Sequence, residues 1–416
     1  MAGWDESTLG DVCVRITDGA HSSPPSVLDG RPMASVKDLT PYGIRLETCR
    51  RISSEDFENL VRQGCQPLKG DVLIAKDGAT ALDTVCEVKR NEEVVLLSSV
   101  AILRPNPTII NSSFLHYYLD ASATRSYLKG TFISGAAIPR VVLKDLKRAL
   151  VPVPPLAAQQ RIAGILSAYD ELIENSQQRI KTLESMARAL YREWFVYFRY
   201  PGHESVPLVP SALGDIPEGW EVDTVAKAFV ISGGGTPSRK QDEFWEGGTI
   251  QWYSPSDLTR AGTMFMDDSS DHITELGLAQ SSARMFPSRS VMLTSRATIG
   301  AIAINTETAC TNQGFITCLP NTSVPLYFLF HWLSENVPTF QRMASGATFK
   351  EISRGTFQTI EFLVPKREVV ERFESVATSI AEQVLALQRQ IQNLHATRDG
   401  LLPRLLSGQI NVEEAV

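Results

Sequence analysis

The sequence repeats itself, and this repeat constrains the fold more than any other feature. Four stretches of the first half recur in the second half in the same order: Gly3-Trp4-Asp5 as Gly219-Trp220-Glu221, Ser35-Val36-Lys37-Asp38 as Ser254-Pro255-Ser256-Asp257, Val72-Leu73-Ile74 as Val291-Met292-Leu293, and Val153-Pro154 as Val364-Pro365. The distance between partners stays between 211 and 219 residues. Because chance similarity does not keep its order over so long a stretch, we predict a tandem duplication of one unit.

Each unit begins with about 150 residues that are rich in glycine, proline, serine and β-branched residues. Short apolar runs such as 72–75 and 299–304 interrupt them. This pattern is typical of short strands joined by long loops. We therefore predict an α+β fold in which two globular mixed α/β domains are separated by two long antiparallel coiled-coil helices, related by a pseudo-two-fold axis.

A long helix is predicted after each domain, because apolar residues alternate there at spacings of four and three. Ser176 and Arg398 interrupt the pattern without hiding it. Helices of about 40 residues span roughly 60 Å, which favours pairing with each other over packing on their own domains. The predicted seam consists of Ile162, Leu166, Ile173, Ile180, Leu183 and Leu190 on the first helix, and of Phe373, Ile380, Val384, Leu387, Ile391, Leu394 and Leu401 on the second.

The chain is thus divided into six predicted segments. They are a domain at 1–153, the first helix at 154–198, a linker at 199–216, a second domain at 217–364, the second helix at 365–408 and a tail at 409–416. Pro154-Pro155 and Pro365 stand where the helices should begin. The linker contains several prolines and no periodicity, so we expect an extended connection without regular structure.

Composition excludes several classes of protein. No apolar run approaches the 18 residues of a membrane span, and the N-terminal residues lack the pattern of a signal peptide. Six cysteines without a paired framework favour the reducing cytoplasm. The formal net charge of −7 argues mildly against a stand-alone nucleic-acid binder, so that function needs other support.

Catalytic motifs are absent from the sequence. There is no Gly-Lys dipeptide and hence no P-loop, and no Gly-x-Ser-x-Gly elbow. The six histidines have no metal-ligand spacing. We therefore expect no catalytic residue and no metal site on this chain.

Two stretches imitate catalytic sites. Gly233-Gly234-Gly235-Thr236-Pro237 looks like a phosphate cradle, but the spacing favours a tight loop. Asp71 with Glu87-Val88-Lys89 imitates the metal site of many nucleases, yet the second unit has Ser290 in place of Asp71. For both stretches, the sequence favours a structural role over a catalytic one.

Several motifs together resemble the DNA-sequence specificity subunit of type I restriction–modification enzymes. In chain order they are Pro154-Pro155-Leu156-Ala157-Ala158-Gln159-Gln160-Arg161-Ile162, Met186-Ala187-Arg188-Ala189-Leu190, Leu213-Gly214-Asp215-Ile216-Pro217-Glu218-Gly219-Trp220, Gly234-Gly235-Thr236-Pro237-Ser238 followed by Ile250-Gln251-Trp252, and Leu401-Leu402-Pro403-Arg404-Leu405-Leu406-Ser407-Gly408-Gln409-Ile410. The resemblance covers essentially the whole chain. It departs at Val364-Pro365-Lys366, where the second unit lacks the fuller Pro-Pro-Leu and Gln motif of the first.

The resemblance implies two target-recognition domains, each reading one half of a split double-stranded DNA sequence. The helices of the family dock two modification subunits, which supply S-adenosylmethionine and adenine N6-methylation. Restriction subunits add ATP- and Mg-dependent translocation and cleavage. It follows that this chain carries no cofactor, contacts no membrane and works in the cytoplasm of a bacterium or archaeon.

Candidate DNA contacts are polar residues at matched places in predicted loops. Residues 1–150 carry 18 basic and 18 acidic side chains, and residues 201–365 carry 10 and 17, so neither domain is basic overall. Reading of the major groove needs Arg or Lys toward guanine and Asn or Gln toward adenine. The candidates are Asp18, His21, Lys37, Lys76 and Arg140 in the first domain, and Ser238, Arg239, Lys240, Ser256, Arg296 and Lys350 in the second.

Other functions remain open at this point. The chain could be a scaffold whose duplicated domains bind protein or glycan, a nuclease using Asp71, Glu87 and Lys89, or the specificity chain of a two-subunit system without translocation. Apolar residues on the outer helix faces, Ile165, Leu172 and Met186 beside Trp194 and Phe195, favour docking of a partner.

Overall fold

The computed structural model describes residues 4–134, 139–346 and 350–410. The chain folds into two compact units, of which unit 1 comprises residues 1–175 and 391–416 and unit 2 comprises residues 176–390. Gly3 of the first repeat match and residues 411–416 of the predicted tail lie outside the described residues.

Before the first long helix begins, the described part of the first unit contains short strands and five α-helices of 4 to 11 residues. The strands are β1 Glu6–Thr8, β2 Cys13–Asp18, β3 Arg31–Ala34, β4 Leu39–Thr40, β5 Gly43–Ile44, β6 Arg50–Ile52, β7 Val72–Ala75, β8 Val85–Glu87, β9 Val95–Leu96, β10 Val100–Pro105, β11 Ile133–Ser134, β12 Arg140–Val141 and β13 Leu150–Pro152. The helices are α1 Leu9–Val12, α2 Ser54–Arg62, α3 Ser112–Asp120, α4 Ser122–Phe132, α5 Leu143–Leu146 and the long α6 Leu156–Tyr191, which continues as a π-helical turn at Arg192–Val196.

The second unit repeats this composition. Its strands are β14 Leu208–Ser211, β15 Gly214–Pro217, β16 Glu221–Thr224, β17 Val230–Gly233, β18 Ile250–Tyr253, β19 Phe265–Met266, β20 Asp271–Ile273, β21 Val291–Thr294, β22 Ile302–Asn305, β23 Ala309–Thr311, β24 Phe315–Leu319 and β25 Glu361–Val364. Its helices are α7 Val225–Ala228, α8 Pro255–Ala261, α9 Glu275–Ala279, α10 Leu326–Met343, α11 Arg354–Gln358 and the long α12 Arg367–Leu406.

The sheet topology confirms the duplication. The order β2-β10-β7-β8 in unit 1 corresponds to β17-β24-β21-β22 in unit 2, where β19 adds a fifth strand. Likewise β6-β3-β9 corresponds to β20-β18-β23, and β1-β13 to β16-β25. The inner strands β7 and β21 are buried along their whole length, which explains their continuous apolar sequences. The predicted α+β class is thus confirmed.

The two long helices contact each other in antiparallel fashion within each unit. In unit 1 the start of α6 packs near the end of α12, where Ile162 and Leu405 belong to one buried core. In unit 2 the order is reversed, and Trp194, which follows α6, contacts Phe373 near the start of α12 with ring centroids 6.1 Å apart. The contacts in both units follow one antiparallel register. The sequence numbers of two residues that face each other add up to about 568, as they do for 170 and 398.

The residues of the predicted seam differ in burial. Ile162, Leu166, Ile173, Phe373, Val384 and Leu387 are buried, whereas Ile180, Leu183, Leu190, Ile380, Ile391, Leu394 and Leu401 are half-buried. The polar interruption Ser176 is also buried.

The start of each long helix is fixed to the preceding domain by a polar side chain. In unit 1 the amide of Gln159 accepts a hydrogen bond from the Asn111 N–H at 2.7 Å and donates to the carbonyl oxygens of Ile109 and Pro154. The second helix lacks this glutamine, and Glu374 accepts bonds from the N–H groups of Tyr327 and Phe328, both at 3.0 Å, instead. The departure in sequence is therefore compensated by a different side chain.

The structure differs from the sequence-based expectations at three places. The linker is not without regular structure, because it contains the hairpin β14-β15, whose turn is closed by Gly214 at φ +92° and by a hydrogen bond from Ser211 Oγ to the Gly214 oxygen. Trp194 and Phe195 are not exposed but buried in the aromatic core of unit 2. The long helices begin at Leu156 and Arg367, each two residues later than predicted.

All six cysteines are free and buried. No helix in the described part of the chain combines the length and the hydropathy that crossing a membrane requires.

Candidate functional site

Four segments meet at one edge of the main sheet in each unit, and equivalent backbone hydrogen bonds join them. In unit 1 these bonds run from Ala20 N to Leu96 O (2.7 Å) and from Lys76 N to Ser99 O (2.9 Å). In unit 2 they run from Gly235 N to Thr311 O (2.9 Å) and from Ser295 N to Gly314 O (2.8 Å). We call residues 18–21, 76–78, 97–99 and 139–141 loop junction 1, and residues 234–236, 295–297, 312–314 and 350–352 loop junction 2.

Each junction depends on a glycine at the same place. A Cβ atom on Gly19 would lie 2.1 Å from the carbonyl oxygen of Leu96, and one on Gly234 would lie 2.1 Å from the carbonyl oxygens of Thr311 and Asn312. Backbone passes so close to both positions that only glycine fits without a shift. The glycine run at 233–235 is therefore a packing feature, as the tight-loop interpretation expects, and not a phosphate cradle.

Loop junction 1 carries a connected group of charged side chains. Lys76, whose side chain is only 3 % exposed, places its Nζ 3.1 Å from Asp18 Oδ2 and 3.4 Å from Asp77 Oδ2. His21 Nε2 lies 3.2 Å from Asp18 Oδ1, and Arg140 Nε lies 3.3 Å from Asp77 Oδ1. Four of the five predicted contacts of this domain thus come together, and the side chains of Arg140 and His21 are the exposed ones among them.

Loop junction 2 has the same frame but other side chains. Arg296 Nε lies 3.8 Å from Glu351 Oε2, and both side chains are nearly half exposed. The carbonyl oxygen of Lys350 accepts a bond from Ala297 N at 3.1 Å, which brings this predicted contact beside Arg296. Gln313 is exposed, and its Oε1 accepts a 2.6 Å hydrogen bond from Thr236 Oγ1.

The ion pairs of the two junctions are equivalent in place and opposite in polarity. Residues 77 and 140 form an isolated antiparallel bridge in unit 1, as residues 296 and 351 do in unit 2. The loop after β7 supplies the carboxylate of Asp77 and the later strand supplies Arg140, whereas the loop after β21 supplies Arg296 and the later segment supplies Glu351. Each junction therefore presents one arginine that is paired with a carboxylate. The arginine comes from the later strand in unit 1 and from the loop after β21 in unit 2.

Lys37 and Ser256 occupy the same position in two equivalent short helices. Ser35 and Asp38 form a capping box around a 3-10 turn, and Ser254 and Asp257 form one at the start of α8. The repeated Ser-x-x-Asp motif is thus structural, and the residue inside it is exposed in both units. Neither Lys37 nor Ser256 joins the charged groups of the junctions.

Arg239 lies on an aromatic platform near the predicted contacts Ser238 and Lys240. Its guanidinium carbon is 3.5 Å from the centroid of the Trp245 ring and 5.0 Å from that of Trp252, and it pairs with Asp271. The Trp245 indole N–H donates to the carbonyl oxygen of Ser238 at 3.1 Å. Stacking and the ion pair hold the guanidinium in one plane, whereas Lys240 is an exposed side chain beside it.

Sequence reasoning missed the partners that support these arginines. Asp77, Glu351 and Asp271 were not among the candidates, because each pairs with an arginine that is far away in the sequence. Gln313 was also missed, although an exposed glutamine in a loop at the same place as Ser98 fits the rule for reading adenine.

The stretch that imitates a nuclease is occupied by structural bonds. Asp71 forms two 2.8 Å hydrogen bonds with Arg104, which raise the pKa of that guanidinium, and Glu87 accepts bonds from the hydroxyls of Ser112 and Ser113. No group of three His, Cys, Asp or Glu side chains suited to a metal ion occurs among residues 4–134, 139–346 and 350–410. The geometry gives the nuclease alternative no support.

Comparison with known families decides the class of this duplicated protein. The family described as "Type I restriction modification DNA specificity domain" matches residues 1–185 and again residues 217–392. The chain belongs to this family. The prediction that it is a DNA-sequence specificity subunit of a type I system is thereby confirmed.

Several specificity subunits are similar to this chain over most of its length. The specificity subunit of the type I enzyme HindI from Haemophilus influenzae is 24 % identical over 378 residues, covering 77 % of this chain and 82 % of that protein. The EcoR124I/EcoR124II specificity subunit of Escherichia coli is 28 % identical over 347 residues, covering 79 % and 78 %. The putative MjaX specificity subunit of Methanocaldococcus jannaschii is 22 % identical over 429 residues, covering 99 % and 94 %.

A solved structure has the same fold. The crystal structure of the S subunit of a type I restriction–modification system from M. genitalium superimposes with a TM-score of 0.61 at 15 % sequence identity, covering 97 % of this chain and 96 % of that one.

Proposed function

We propose that this specificity subunit is non-catalytic and that each of its domains reads one half of a split double-stranded DNA target through its loop junction. The observation that carries the proposal is the pair of junctions, which share one backbone frame and differ in the side chains mounted on it. A fixed frame with variable side chains is what independent reading of two different half-sites needs.

Arg140 and Arg296 are the residues that we assign to base reading. A guanidinium donates two parallel hydrogen bonds to the O6 and N7 atoms of guanine in the major groove. Asp77 and Glu351 orient the two side chains before binding, and the arginines remain about half exposed and therefore accessible. Gln313 is placed to read adenine at the second half-site.

Lys76 has a different role from the one predicted for it. Its amine is buried in ion pairs with Asp18 and Asp77, so we assign it to positioning these carboxylates and not to contacting a base. His21, Lys37, Ser238, Arg239, Lys240, Ser256 and Lys350 remain candidates for contacts to phosphates or bases.

The long helices are proposed to bind two modification subunits and to set the spacing between half-sites. Ile165, Leu172 and Met186 on α6 are 36 %, 50 % and 55 % exposed, which is unusual for large apolar side chains on one helix. Methylation of adenine, with S-adenosylmethionine, and ATP- and Mg-dependent restriction are assigned to the partner subunits. We infer that the complex works in the cytoplasm of a bacterium or archaeon.

Exchange of one domain tests the proposal. Residues 211–362 are replaced by the corresponding domain of a relative, and the methylated motif is mapped in cells that also contain the modification subunits. We expect one half of the motif to change and the other half to stay. A change in both halves would exclude independent reading, and failure of the chain to retain random-sequence duplex in a gel shift would favour the scaffold alternative.

A further inference from the structure

An ion pair between a buried aspartate and a half-buried arginine interrupts the apolar seam between the long helices in unit 1. Asp170 of α6, whose side chain is 8 % exposed, accepts a 2.6 Å hydrogen bond from Arg398 Nη1 of α12. The other oxygen of the carboxylate accepts a 2.6 Å bond from the hydroxyl of Tyr117. Arg398 also donates to Asp399. Both charges of the pair are thus engaged, although they lie in a mostly apolar contact.

The surroundings keep each member of this network in the state that the network needs. Burial lowers the pKa of Arg398, but the hydrogen bonds with Asp170 and Asp399 outweigh it and raise that pKa above its ordinary value. Burial and then the bond to Asp170 raise the pKa of Tyr117, so its hydroxyl stays a donor. A carboxylate buried here needs such partners, because an unpaired charge in this place is strongly unfavourable.

The equivalent place in unit 2 carries no charge. The repeat distance of 211 residues relates Asp170 to Ala381 and Arg398 to Ala187, and both alanines are 2 % exposed. His331 on α10 takes the place of Tyr117 on α3. Burial and the nearby Arg188 lower the pKa of His331 to about 4, so that the neutral ring lies against Tyr191. The seam is therefore charged at one end and apolar at the other.

This asymmetry determines which helices can pair without leaving a charged side chain unpaired in the seam. Because the repeats are similar, the apolar seam residues of α6 would fit a second α6 almost as well as they fit α12. In an antiparallel α6–α6 pair, however, the Asp170 of each copy would lie opposite the Ala187 of the other copy. Two carboxylates would then lack their arginine. An α12–α12 pair would likewise place Arg398 opposite Ala381. We propose that the Asp170–Arg398 pair makes α6 select α12 as its partner and reject the α6 of a second copy.

The proposal has a parallel in coiled coils, where a single polar residue in the seam fixes the partner at some cost in stability. The Tyr117 hydroxyl adds to the selection, since it binds the Asp170 oxygen that Arg398 leaves free. Pairing of α6 with α12 matters for function, because an α6–α6 or α12–α12 pair would bring together two copies of the same recognition domain.

Co-expression of two full-length copies with different affinity tags tests the selection. The variant D170A/R398A makes both ends of the seam alike, with alanines as at 187 and 381. We expect wild-type copies to purify singly and the double-alanine copies to retain each other about tenfold more, because exchanged pairing no longer leaves a buried charge unpaired. The reversed pair D170R/R398D restores the asymmetry and should purify singly, like the wild type.

Thermal unfolding separates selection from simple stability. R398A alone should melt at a lower temperature, and D170A/R398A should recover most of the loss, because removing both charges removes the unpaired one. If the double-alanine variant does not fold, D170N/R398Q keeps a polar side chain without charge at both positions and carries the same expectation. Equal retention of second copies by wild type and the neutral variants, or high retention by the reversed pair, would overturn the proposal.

Discussion

At the scale of single residues, the proposed reading of bases rests on the two arginines that carboxylates support, Arg140 and Arg296. Arg140 and Arg296 stand at equivalent bridges, each beside a carboxylate from the opposite strand. A free arginine side chain loses rotamer freedom when it binds a base, and a carboxylate that already orients it reduces this loss. The inverted polarity means that the two arginines approach from different strands of one frame, so the same frame can address different bases.

Substitution of one arginine is expected to relax one position of one half-site. R296A removes a pair of hydrogen bonds that is worth about 1–3 kcal/mol of discrimination between bases. The methylated motif, mapped in cells that carry the variant and its modification subunits, should become degenerate at one position of the second half and keep its first half; R140A should do the converse. R367A breaks a similar exposed Arg–Glu pair in α12 and should leave the motif intact. A motif that R296A leaves unchanged would contradict the assignment.

At the scale of elements, the sequence allowed some features to be predicted and concealed others for physical reasons. The long helices follow from heptads, which are local and visible in one stretch of chain. The hairpin β14-β15 depends on a single turn at Gly214, which a linker rich in proline concealed. Burial of Phe195 depends on Phe328, 133 positions along the chain, with ring centroids 4.7 Å apart. No periodicity around Phe195 reports that contact.

The loop junctions were predicted only in part for the same reason. Lys76 and Arg140 were found because they are basic and lie in predicted loops. Their supporting carboxylates become visible only when residues far apart in sequence meet at the edge of a sheet. The tight loop predicted at Gly233-Gly234-Gly235 was the local signal, and Gly234 indeed lies where backbone segments pass closely.

Two glycine substitutions with opposite expected effects on the free energy of unfolding test the role of the glycine at the loop junction. G234A places a Cβ against the carbonyl oxygens of Thr311 and Asn312, so we expect a loss of about 1–3 kcal/mol in the free energy of unfolding and weaker reading of the second half-site. G164A lies on an exposed position of α6 where no neighbour obstructs a Cβ, and it should stabilise the chain by about 1 kcal/mol. Denaturant unfolding measures both. If G234A left the free energy of unfolding unchanged, the backbone of loop junction 2 would have to shift easily enough to accept a Cβ atom.

At the scale of the whole molecule, the duplication supplies two domains of one family, and we propose that the paired helices set the distance between the half-sites that these domains read. The seam contacts in unit 1 and unit 2 follow one antiparallel register, in which residue 170 opposes residue 398 and residue 194 opposes residue 373 or its neighbour. A change of length in one helix alone would therefore shift its seam against the other. A change that keeps the register must add the same number of whole heptads to both helices.

Duplication of opposed heptads in both helices is expected to lengthen the spacer of the DNA target. Residues 177–183 of α6 oppose residues 385–391 of α12 in this register, so repeating both segments preserves the seam. Seven residues add roughly 10 Å of helix, which corresponds to about three base pairs at 3.4 Å each. The mapped motif should keep both half-sites and gain about three base pairs between them. Repeating 177–183 alone serves as the control and should lower the melting temperature, because it moves the seam residues of α6 out of register with α12. If the doubly extended chain folds and methylates DNA with the original spacing, the helices do not set the distance between half-sites.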